Sequence, residues 1–187
     1  MTDGMKVRFA EFHKGREFVP GDGDTGADIV LIGEAPGKKE IAEGRPFVGK
    51  AGKNLDEFLS AVGIERNRVY ITNAVKFRPV KVSLKGTVSN RTPSRDEIFA
   101  ERDLLMDEVR EIGPSFVVTL GNTPLRSWLG DMRACIGDMH GRPYDTYGGM
   151  ILFPLYHPAS IIYNRALKDT YKEDLRVLAG LIKDARR

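Results

Sequence analysis

Four short apolar runs, each rich in β-branched residues, are spaced along the chain. Each run is continuous and does not alternate with polar residues, which is typical of strands buried on both faces of a parallel sheet. The runs are Asp28 to Gly33, Arg68 to Asn73, Ser115 to Gly121 and Met150 to Tyr156. They predict four strands at the centre of a mainly parallel sheet.

Helical patterns lie between and after these runs. Ala51 to Val62 has apolar residues at helical spacing and is followed by Gly63, a residue that commonly ends helices. Arg95 to Ile112 begins with a capping box, in which Ser94 and Glu97 are three residues apart. A short helical pattern follows the third run at Asn122 to Leu129, and another at Lys172 to Ala185 closes the chain. The alternation of strand and helix predicts the α/β class with a doubly wound sheet.

Two segments do not follow this alternation. Lys81 to Arg91 reads as a basic loop or a small hairpin, and Gly141 to Thr146 reads as an antiparallel strand that turns into the fourth run. No repeat, low-complexity tract or Pro/Gly/Ser-rich linker divides the apolar blocks. Residues 1–187 are therefore expected to form a single domain.

Composition narrows the classes of protein to which the chain can belong. Apolar residues make up 41% and charged residues 29% of the 187 positions, which argues against a disordered or fibrous protein. No apolar run approaches the roughly 18 residues that span a membrane. A net charge of +3 permits a nucleic-acid partner without indicating one. The single cysteine, Cys135, and the polar N-terminal segment lead us to expect a reducing, cytoplasmic compartment.

Polar residues follow each of the four predicted strands. The first run ends in the segment Gly33 to Glu40, the second in Asn73, the third in Gly121 to Asn122 and the fourth in His157. Each has an ordinary structural explanation when taken alone: a turn, a cap, or a packed histidine. Ligands of open α/β sheets bind outside the carboxyl ends of the strands, so the four together favour an active site there.

A second candidate site is the segment Gly44 to Ala51, which nearly spells a nucleotide-binding P-loop. A P-loop has Ser or Thr after its lysine to bind magnesium and follows a strand directly. Here Ala51 follows Lys50, and the preceding predicted strand ends at Gly33. These departures argue against a nucleotide hydrolase and leave open a backbone-amide site for another phosphate. A dinucleotide site is disfavoured as well, because no G-x-G-x-x-G opens the first helix.

Six motifs in this order and spacing resemble the iron-sulfur (family 4) uracil-DNA glycosylases. They are GEAPGKKE (33–40), GRPFVGKAG (44–52), VYITNAVKFRP (69–79), NRTPSRDE (90–97), HGRP (140–143) and FPLYHPAS (153–160). The similarity runs from about Val19 to the C-terminus, and the combination is specific where no single motif is. The resemblance implies a three-layer α/β/α sandwich with a central four-stranded, mainly parallel sheet. It also implies hydrolysis of the N-glycosidic bond of uracil in DNA, which leaves an abasic site.

The same resemblance assigns roles to individual residues. It implies that Phe47 stacks on the extruded uracil and that Gly33 contacts the base through its backbone. It implies that Asn73 pairs with N3–H and O4, since an amide offers an acceptor and a donor together whereas cytosine presents the opposite pattern. His157 is expected to donate a hydrogen bond to uracil O2 as negative charge develops. Glu34 is expected to be the main catalytic carboxylate, which orients water and stabilises positive charge on the sugar.

Glu40 matches a second acidic position of the family and is grouped with the catalytic residues. It either supports Glu34 or narrows the pocket against the 5-methyl group of thymine, and the sequence leaves both roles open.

Contacts to DNA are expected around these loops. The segment 158–163, including Ser160 and Ile161, is expected to enter the minor groove and fill the space left by the base. The alternative is a helical turn that packs Ile161 and Ile162 into the core. Basic residues near the motifs are candidate phosphate contacts, although each could also be an ordinary solvated side chain: Lys38, Lys39, Lys50, Arg78, Arg91, Arg142 and Arg165.

The chain departs from the family in its cysteines. The resemblance implies a [4Fe–4S] cluster held by four cysteines, but Phe77 stands at the third of these positions and Glu101 at the fourth. Residues 1–28 contain no cysteine, and Cys135 lies outside the pattern. One thiol cannot hold such a cluster. We therefore expect no metal or cluster, with Phe77 and its neighbours packing the vacated space.

The leading hypothesis is a monomeric, cofactor-free glycosylase that excises uracil from DNA during base excision repair. Two alternatives keep the same pocket: a glycosylase for another deaminated base such as hypoxanthine or xanthine, and a non-catalytic binder of damaged DNA. A nucleotide hydrolase at Lys50 is the remaining alternative.

Overall fold

A six-stranded sheet forms the centre of the computed structural model, which describes residues 3–164 and 166–185. Its strands, in spatial order, are β1 (Asp22–Gly23), β3 (Tyr70–Asn73), β2 (Ile29–Gly33), β6 (Phe116–Leu120), β8 (Ile151–Leu155) and β7 (Tyr144–Asp145). The four inner strands are parallel, and the two-residue strands at the edges are antiparallel to their neighbours. The four predicted runs are thus confirmed as a parallel core.

The segments outside the predicted alternation also take up structure. β7 confirms the antiparallel strand expected within Gly141 to Thr146. The basic segment is a separate two-stranded hairpin formed by β4 (Val80–Val82) and β5 (Val88–Asn90). The edge strand β1 was not predicted, because two residues are too few to show a periodic pattern.

Eight α-helices surround the sheet in the described part of the chain. They are α1 (Asp3–Phe12), α2 (Lys38–Glu43), α3 (Lys50–Ala61), α4 (Arg95–Ile112), α5 (Asn122–Leu129), α6 (Ile136–Met139), α7 (Ser160–Tyr163) and α8 (Leu167–Ala185). The capping box of α4 is present, with the Ser94 hydroxyl accepting from the Glu97 amide at 3.2 Å. The last helix begins five residues before its predicted start at Lys172. None of the helices described is long and apolar enough to cross a membrane.

The helices cover both faces of the sheet, as a three-layer α/β/α sandwich requires. Successive side chains of a strand point to opposite faces. In β2, Leu31 packs in the cluster that contains Leu59 of α3 and Leu175 of α8. Its neighbour Ile32 packs in the cluster that contains Val109 of α4 together with residues of α5. The resulting core holds all four parallel strands with their carboxyl ends along one edge.

A fully buried ion pair joins α4 to the end of β3. Lys76 Nζ lies 2.6 Å from the Glu108 carboxylate and also donates to the Thr72 hydroxyl and to the Asn73 carbonyl, each at 2.6 Å. The carboxylate accepts further hydrogen bonds from the Tyr70 hydroxyl at 2.9 Å and the Thr72 hydroxyl at 2.8 Å. Burial and the neighbouring Glu108 raise the pKa of the Tyr70 phenol above its usual value. This network fixes the backbone of β3 where the strand ends.

Replacing Lys76 by methionine should reduce the free energy of unfolding by about 3 to 5 kcal/mol, because Glu108 is left as an uncompensated buried charge. Urea unfolding of the two proteins measures the difference. Arg176→Met is the matched control, since Arg176 pairs with Glu173 at the surface and its loss should change stability little. Equal, small losses in both variants would show that the buried pair does not hold this part of the fold.

Candidate active site

A cavity of about 370 Å³ opens at the carboxyl edge of the parallel strands. It is lined by residues that follow β2, by the loop before α3, and by the ends of β3, β5 and β8. The lining residues are Ala35, Gly37, Lys38, Lys39, Glu40, Phe47, Gly49, Lys50, Ala51, Asn73, Asn90 and His157. The residues singled out after the first, second and fourth runs therefore meet at one cavity, whereas Gly121 and Asn122 after the third run are not among its lining residues.

Gly33 allows an amide and an aromatic ring to meet at the inner end of this cavity. A Cβ atom at position 33 would lie 2.5 Å from both the Asn73 amide oxygen and the Phe47 ring. Real Cβ atoms do not approach so closely, so any other residue here would displace one of the two groups. Phe47 has a φ of 55°, the only positive value among the described residues other than glycine. This conformation belongs to the loop that places its largely buried ring beside Asn73.

Asn73 is the last residue of β3 and lies opposite Gly33 in the parallel ladder. The ladder continues past both strand ends, because the Ala74 amide donates to the Gly33 carbonyl at 2.8 Å and the Val75 amide to the Glu34 carbonyl at 3.1 Å. Only 3% of Asn73 is exposed. The side-chain amide thus lines the cavity from a backbone that is held on both sides.

His157 follows β8 with a defined tautomer. The Ala159 backbone amide donates to Nδ1 at 3.1 Å, and since an amide N–H can only donate, the neutral ring carries its proton on Nε2. Burial lowers the pKa of His157 to about 4, so the ring is neutral near pH 7. The centres of the His157 and Phe47 rings are 5.9 Å apart. The cavity therefore contains a neutral imidazole whose Nε2–H is available as a donor.

Ser160 stabilises the loop that carries this histidine. Its hydroxyl donates to the His157 carbonyl at 2.5 Å. A contact to DNA, as the sequence predicted for Ser160, would have to use this hydroxyl in addition to its internal bond or in place of it.

Glu34 follows β2 and is half-buried. One of its carboxylate oxygens, Oε2, accepts a hydrogen bond of 2.6 Å from the hydroxyl of Thr123, a buried residue in the first turn of α5. Thr123 was not among the candidate site residues expected from the sequence, although it directly follows Asn122 at the polar end of the third run. Glu34 itself is not among the cavity-lining residues; it lies between Gly33 and Ala35, and Ala35 is in the lining.

Glu40 has both carboxylate oxygens engaged by backbone amides. Oε2 accepts from Gly37 at 3.1 Å and Oε1 accepts from Gly49 at 2.8 Å. The residue thereby links the loop after β2 to the loop that carries Phe47. The Gly49 amide at the start of α3 is thus already occupied by a carboxylate, which argues against the phosphate-binding alternative for the segment Gly44 to Ala51. Whether Glu40 also takes part in catalysis stays a prediction.

The candidate DNA contacts fall into several groups. Lys38, Lys39 and Lys50 are exposed at the cavity. Arg78 donates to the Asn90 amide oxygen at 2.7 Å. Arg142 is exposed but does not line the cavity. Arg165 is not among the described residues.

Arg91 is engaged within the protein. Its guanidinium group makes two hydrogen bonds to the Glu97 carboxylate, at 2.6 and 2.7 Å. This pairing lowers the pKa of Glu97 to about 2. To bind a phosphate, Arg91 would have to share its guanidinium group between the phosphate and Glu97 or give up its pair with Glu97.

The structure places Ile161 in the hydrophobic core. It is 7% exposed and belongs to the same apolar cluster as Phe47 and Tyr171. Its side chain would have to leave the core to fill the space vacated by a base. The packing alternative is therefore the one seen for Ile161, whereas the side chains of Ile162 and Tyr163 lie outside the described part.

The positions expected for cluster cysteines do not fit an iron-sulfur cluster. Phe77 is buried against Val75 and Ile98, and the Arg16 guanidinium lies 4.0 Å from the centre of its ring. The chain has one cysteine, and Cys135 is exposed. Within the described residues, no group of three or more His, Cys, Asp or Glu side chains could hold a metal ion. The donor set that such a cluster needs is missing from this region.

Hydrogen bonds tie the N-terminal segment to the loop after β3 in this region. Glu101 Oε1 and His13 Nε2 lie 2.8 Å apart and share a hydrogen bond, and both side chains are almost fully buried. The backbone amide of Val19 donates to the Lys76 carbonyl at 2.8 Å. Side-chain and backbone hydrogen bonds therefore connect the N-terminal segment to the region around the loop after β3.

Comparison with known proteins places this chain in a family. A family model described as "Uracil DNA glycosylase superfamily" matches residues 20–179. The chain is 39% identical to a type-4 uracil-DNA glycosylase of Saccharolobus solfataricus over 92% of its own length and 78% of that protein. It is 37% identical to a type-4 uracil-DNA glycosylase of Thermotoga maritima, over 88% of its length and 83% of the relative.

Solved structures share the fold. The crystal structure of Pedobacter heparinus SMUG2 superposes with a TM-score of 0.59 over 97% of this chain and 98% of the other, at 14% sequence identity. This agreement concerns the fold alone. The matched family model and the relatives that align over most of their own length show that the chain belongs to the uracil DNA glycosylase superfamily.

Proposed function

We propose that this protein removes uracil from DNA by hydrolysing the N-glycosidic bond, with the extruded base bound in the cavity at the carboxyl edge of the sheet. The observation that carries the proposal is the convergence of a buried amide, a neutral imidazole donor and an aromatic ring on one cavity. Removal of the base leaves an abasic site and starts the repair of deaminated cytosine.

Base recognition rests on Asn73 and Phe47. The amide oxygen of Asn73 accepts from N3–H and its NH₂ group donates to O4, a pattern that uracil satisfies and cytosine does not. The Phe47 ring offers a stacking surface that replaces part of the stacking lost when the base leaves the duplex. Gly33 keeps the two groups adjacent, so the pocket is assembled before the base arrives.

Departure of the base is assisted by His157. When the bond between C1′ and N1 breaks, its electron pair goes to the base and negative charge spreads to O2. A neutral imidazole with its proton on Nε2 can donate to that oxygen in the protonation state that it already has near pH 7. A donor placed in this way contributes roughly 10²- to 10³-fold in rate.

Glu34 serves the other side of the bond. Its Oε2 atom is held by Thr123, and Oε1 has no hydrogen-bond partner among the described residues, so it can orient a water molecule and accept its proton as the hydroxide adds to C1′. The carboxylate charge also stabilises the positive sugar that forms as the base departs. Thr123 is a positioning residue in this scheme, since it acts through Glu34.

Further properties belong to the same proposal. We assign uracil as the preferred base over hypoxanthine or xanthine, because the relatives that align over most of their own length are uracil-DNA glycosylases. We also propose that the protein acts as a monomer in the cytoplasm and holds no iron-sulfur cluster; the lack of a cluster is supported by the single cysteine of the sequence and by the apolar packing around Phe77.

The purified protein should convert a uracil-containing oligonucleotide into an alkali-labile product without added iron or other metal, and should act more slowly on hypoxanthine, xanthine or mismatched thymine. Glu34→Gln should lower the rate by about 10²- to 10⁴-fold, and Asn73→Ala should also lose activity. Glu173→Gln on the surface of α8 is the matched control and should be fully active. The absence of product from both single- and double-stranded substrates would rule out the proposed activity.

Thr123→Val should lower kcat by about 10- to 100-fold with little change in KM, because it removes a hydrogen bond to a charged carboxylate while preserving shape. Thr123→Ser keeps the hydroxyl and should restore most of the rate. Steady-state kinetics of both variants measure the effect. A valine variant as active as the wild type, or a serine variant as impaired as the valine variant, would show that the hydroxyl does not position Glu34.

His157 should make the free energy of unfolding fall as the pH is lowered from about 6.5 to 4. Its pKa is about 4 in the folded protein and near 6.5 when unfolded, so the unfolded chain takes up the proton first over this interval. Urea unfolding at several pH values should give a steeper dependence for the wild type than for His157→Asn. The difference in slope should approach one proton, about 1.4 kcal/mol per pH unit. Parallel curves would contradict a histidine that the fold keeps neutral.

A further inference from the structure

The hairpin of residues 80–90 projects from the fold next to the cavity. Its strands pair Val80 with Asn90 and Val82 with Val88, and its turn is closed by hydrogen bonds between Ser83 and Thr87. All eleven residues are exposed. The hairpin is therefore a two-stranded ribbon with neither face packed on the core.

The ribbon exposes an unusual share of the protein's apolar surface. Nine large apolar side chains are exposed among the described residues, and four of them lie here: Val80, Val82, Leu84 and Val88. Leu84, in the turn, is fully exposed. Exposed apolar groups clustered on so short a segment indicate a surface that meets another molecule.

The charge of the hairpin indicates which kind of molecule its exposed surface binds. Residues 78–91 carry four positive charges and no negative ones, which exceeds the net charge of +3 of the entire chain. Arg91 is paired with Glu97 and Arg78 is bonded to Asn90. Lys81 and Lys85 make no ion pair within the described part of the chain. Two lysines without ion-pair partners suit the phosphates of a nucleic acid, and the exposed apolar tip beside them suits one of its grooves. A protein partner is less favoured, because the centres of protein interfaces are depleted of lysine.

The position of the ribbon also favours DNA. Asn90, at its base, lines the same cavity as Asn73 and His157. At about 3.3 Å per residue, a strand from Asn90 to the turn reaches on the order of 15 Å from the cavity wall. A base extruded into the cavity brings the flanking duplex within this distance.

We propose that this hairpin is a DNA-binding element that lies against the duplex beside the extruded base. Lys81 and Lys85 contact phosphates, and Leu84 enters a groove of the duplex as an apolar tip. Two-stranded ribbons fit the major groove, and apolar side chains are used as wedges in the minor groove. The proposal rests on DNA being the substrate, and it adds a contact surface outside the cavity.

The test is the affinity of the protein for a short duplex that carries a tetrahydrofuran abasic site, measured by fluorescence anisotropy between about 50 and 200 mM salt. Leu84→Ser/Lys85→Ser should weaken binding by about tenfold at the lower salt concentration and reduce the slope of log K against log salt by about 0.9. Adding Lys81→Ser should reduce the slope by a similar step. These residues are exposed, so the variants should unfold at the same temperature as the wild type.

The matched control is Val177→Ser/Lys183→Ser, which removes one exposed apolar side chain and one lysine from α8. Lys183 lies near Ile29, at the amino edge of the strands and away from the cavity. The control should bind like the wild type. Hairpin variants that keep the wild-type affinity and salt slope would overturn the proposal and point to a protein partner instead.

This assay separates the hairpin from the proposed reaction, because binding of an abasic duplex requires no base hydrolysis. A wild-type protein that releases uracil while hairpin variants bind DNA normally would overturn the hairpin proposal alone. A wild-type protein that neither binds the duplex nor releases uracil would overturn both.

Discussion

The site depends on the register of the parallel ladder. Gly33 lies opposite Asn73 in β2 and β3, and Leu120 lies opposite Leu155 in β6 and β8. The strands thus end together, and the polar residues that follow them meet at one edge. A shift of one residue in β3 would turn Asn73 to the opposite face of the sheet. No contact within the cavity could compensate for that, since the amide reaches the base only from this register.

Helix α4 maintains this register by means of two buried carboxylates. Glu101 and Glu108 are seven residues apart, about two helical turns, and so face the same side of the helix. Glu108 binds the end of β3 through Lys76, and Glu101 bonds to His13 near the N-terminal segment. Buried charges stabilise a fold only when each has its partners, so these interactions select one arrangement of helix and strand. The end of β3, which carries Asn73, is thus held by buried polar groups that are paired with one another.

The features that could be predicted from the sequence are those that depend on local patterns of apolar and polar residues. Continuous apolar runs predicted the parallel strands, and strand-end positions predicted that Asn73 and His157 would share a cavity. Contacts between distant segments were not predictable. Thr123 meets Glu34 across 89 positions of sequence, and the two oxygens of Glu40 meet amides of different loops. Ile161 was ambiguous for the same reason, since an apolar side chain after His157 suits both a DNA wedge and a core contact.

The net charge of this protein says little about its binding surfaces, because the groups proposed to bind the base are neutral whereas the lysines proposed to bind phosphates are exposed. The two polar side chains proposed to bind the base are neutral: the Asn73 amide, and an imidazole that burial keeps uncharged near pH 7. A cation there would bear a large desolvation penalty and would be less suited to receive an uncharged base. Positive charge stands instead on exposed lysines such as Lys38 at the cavity and Lys85 on the hairpin, where water solvates it until phosphates replace that water. Phosphate binding and base recognition can thus differ in salt dependence, because screening weakens exposed charges far more than buried hydrogen bonds.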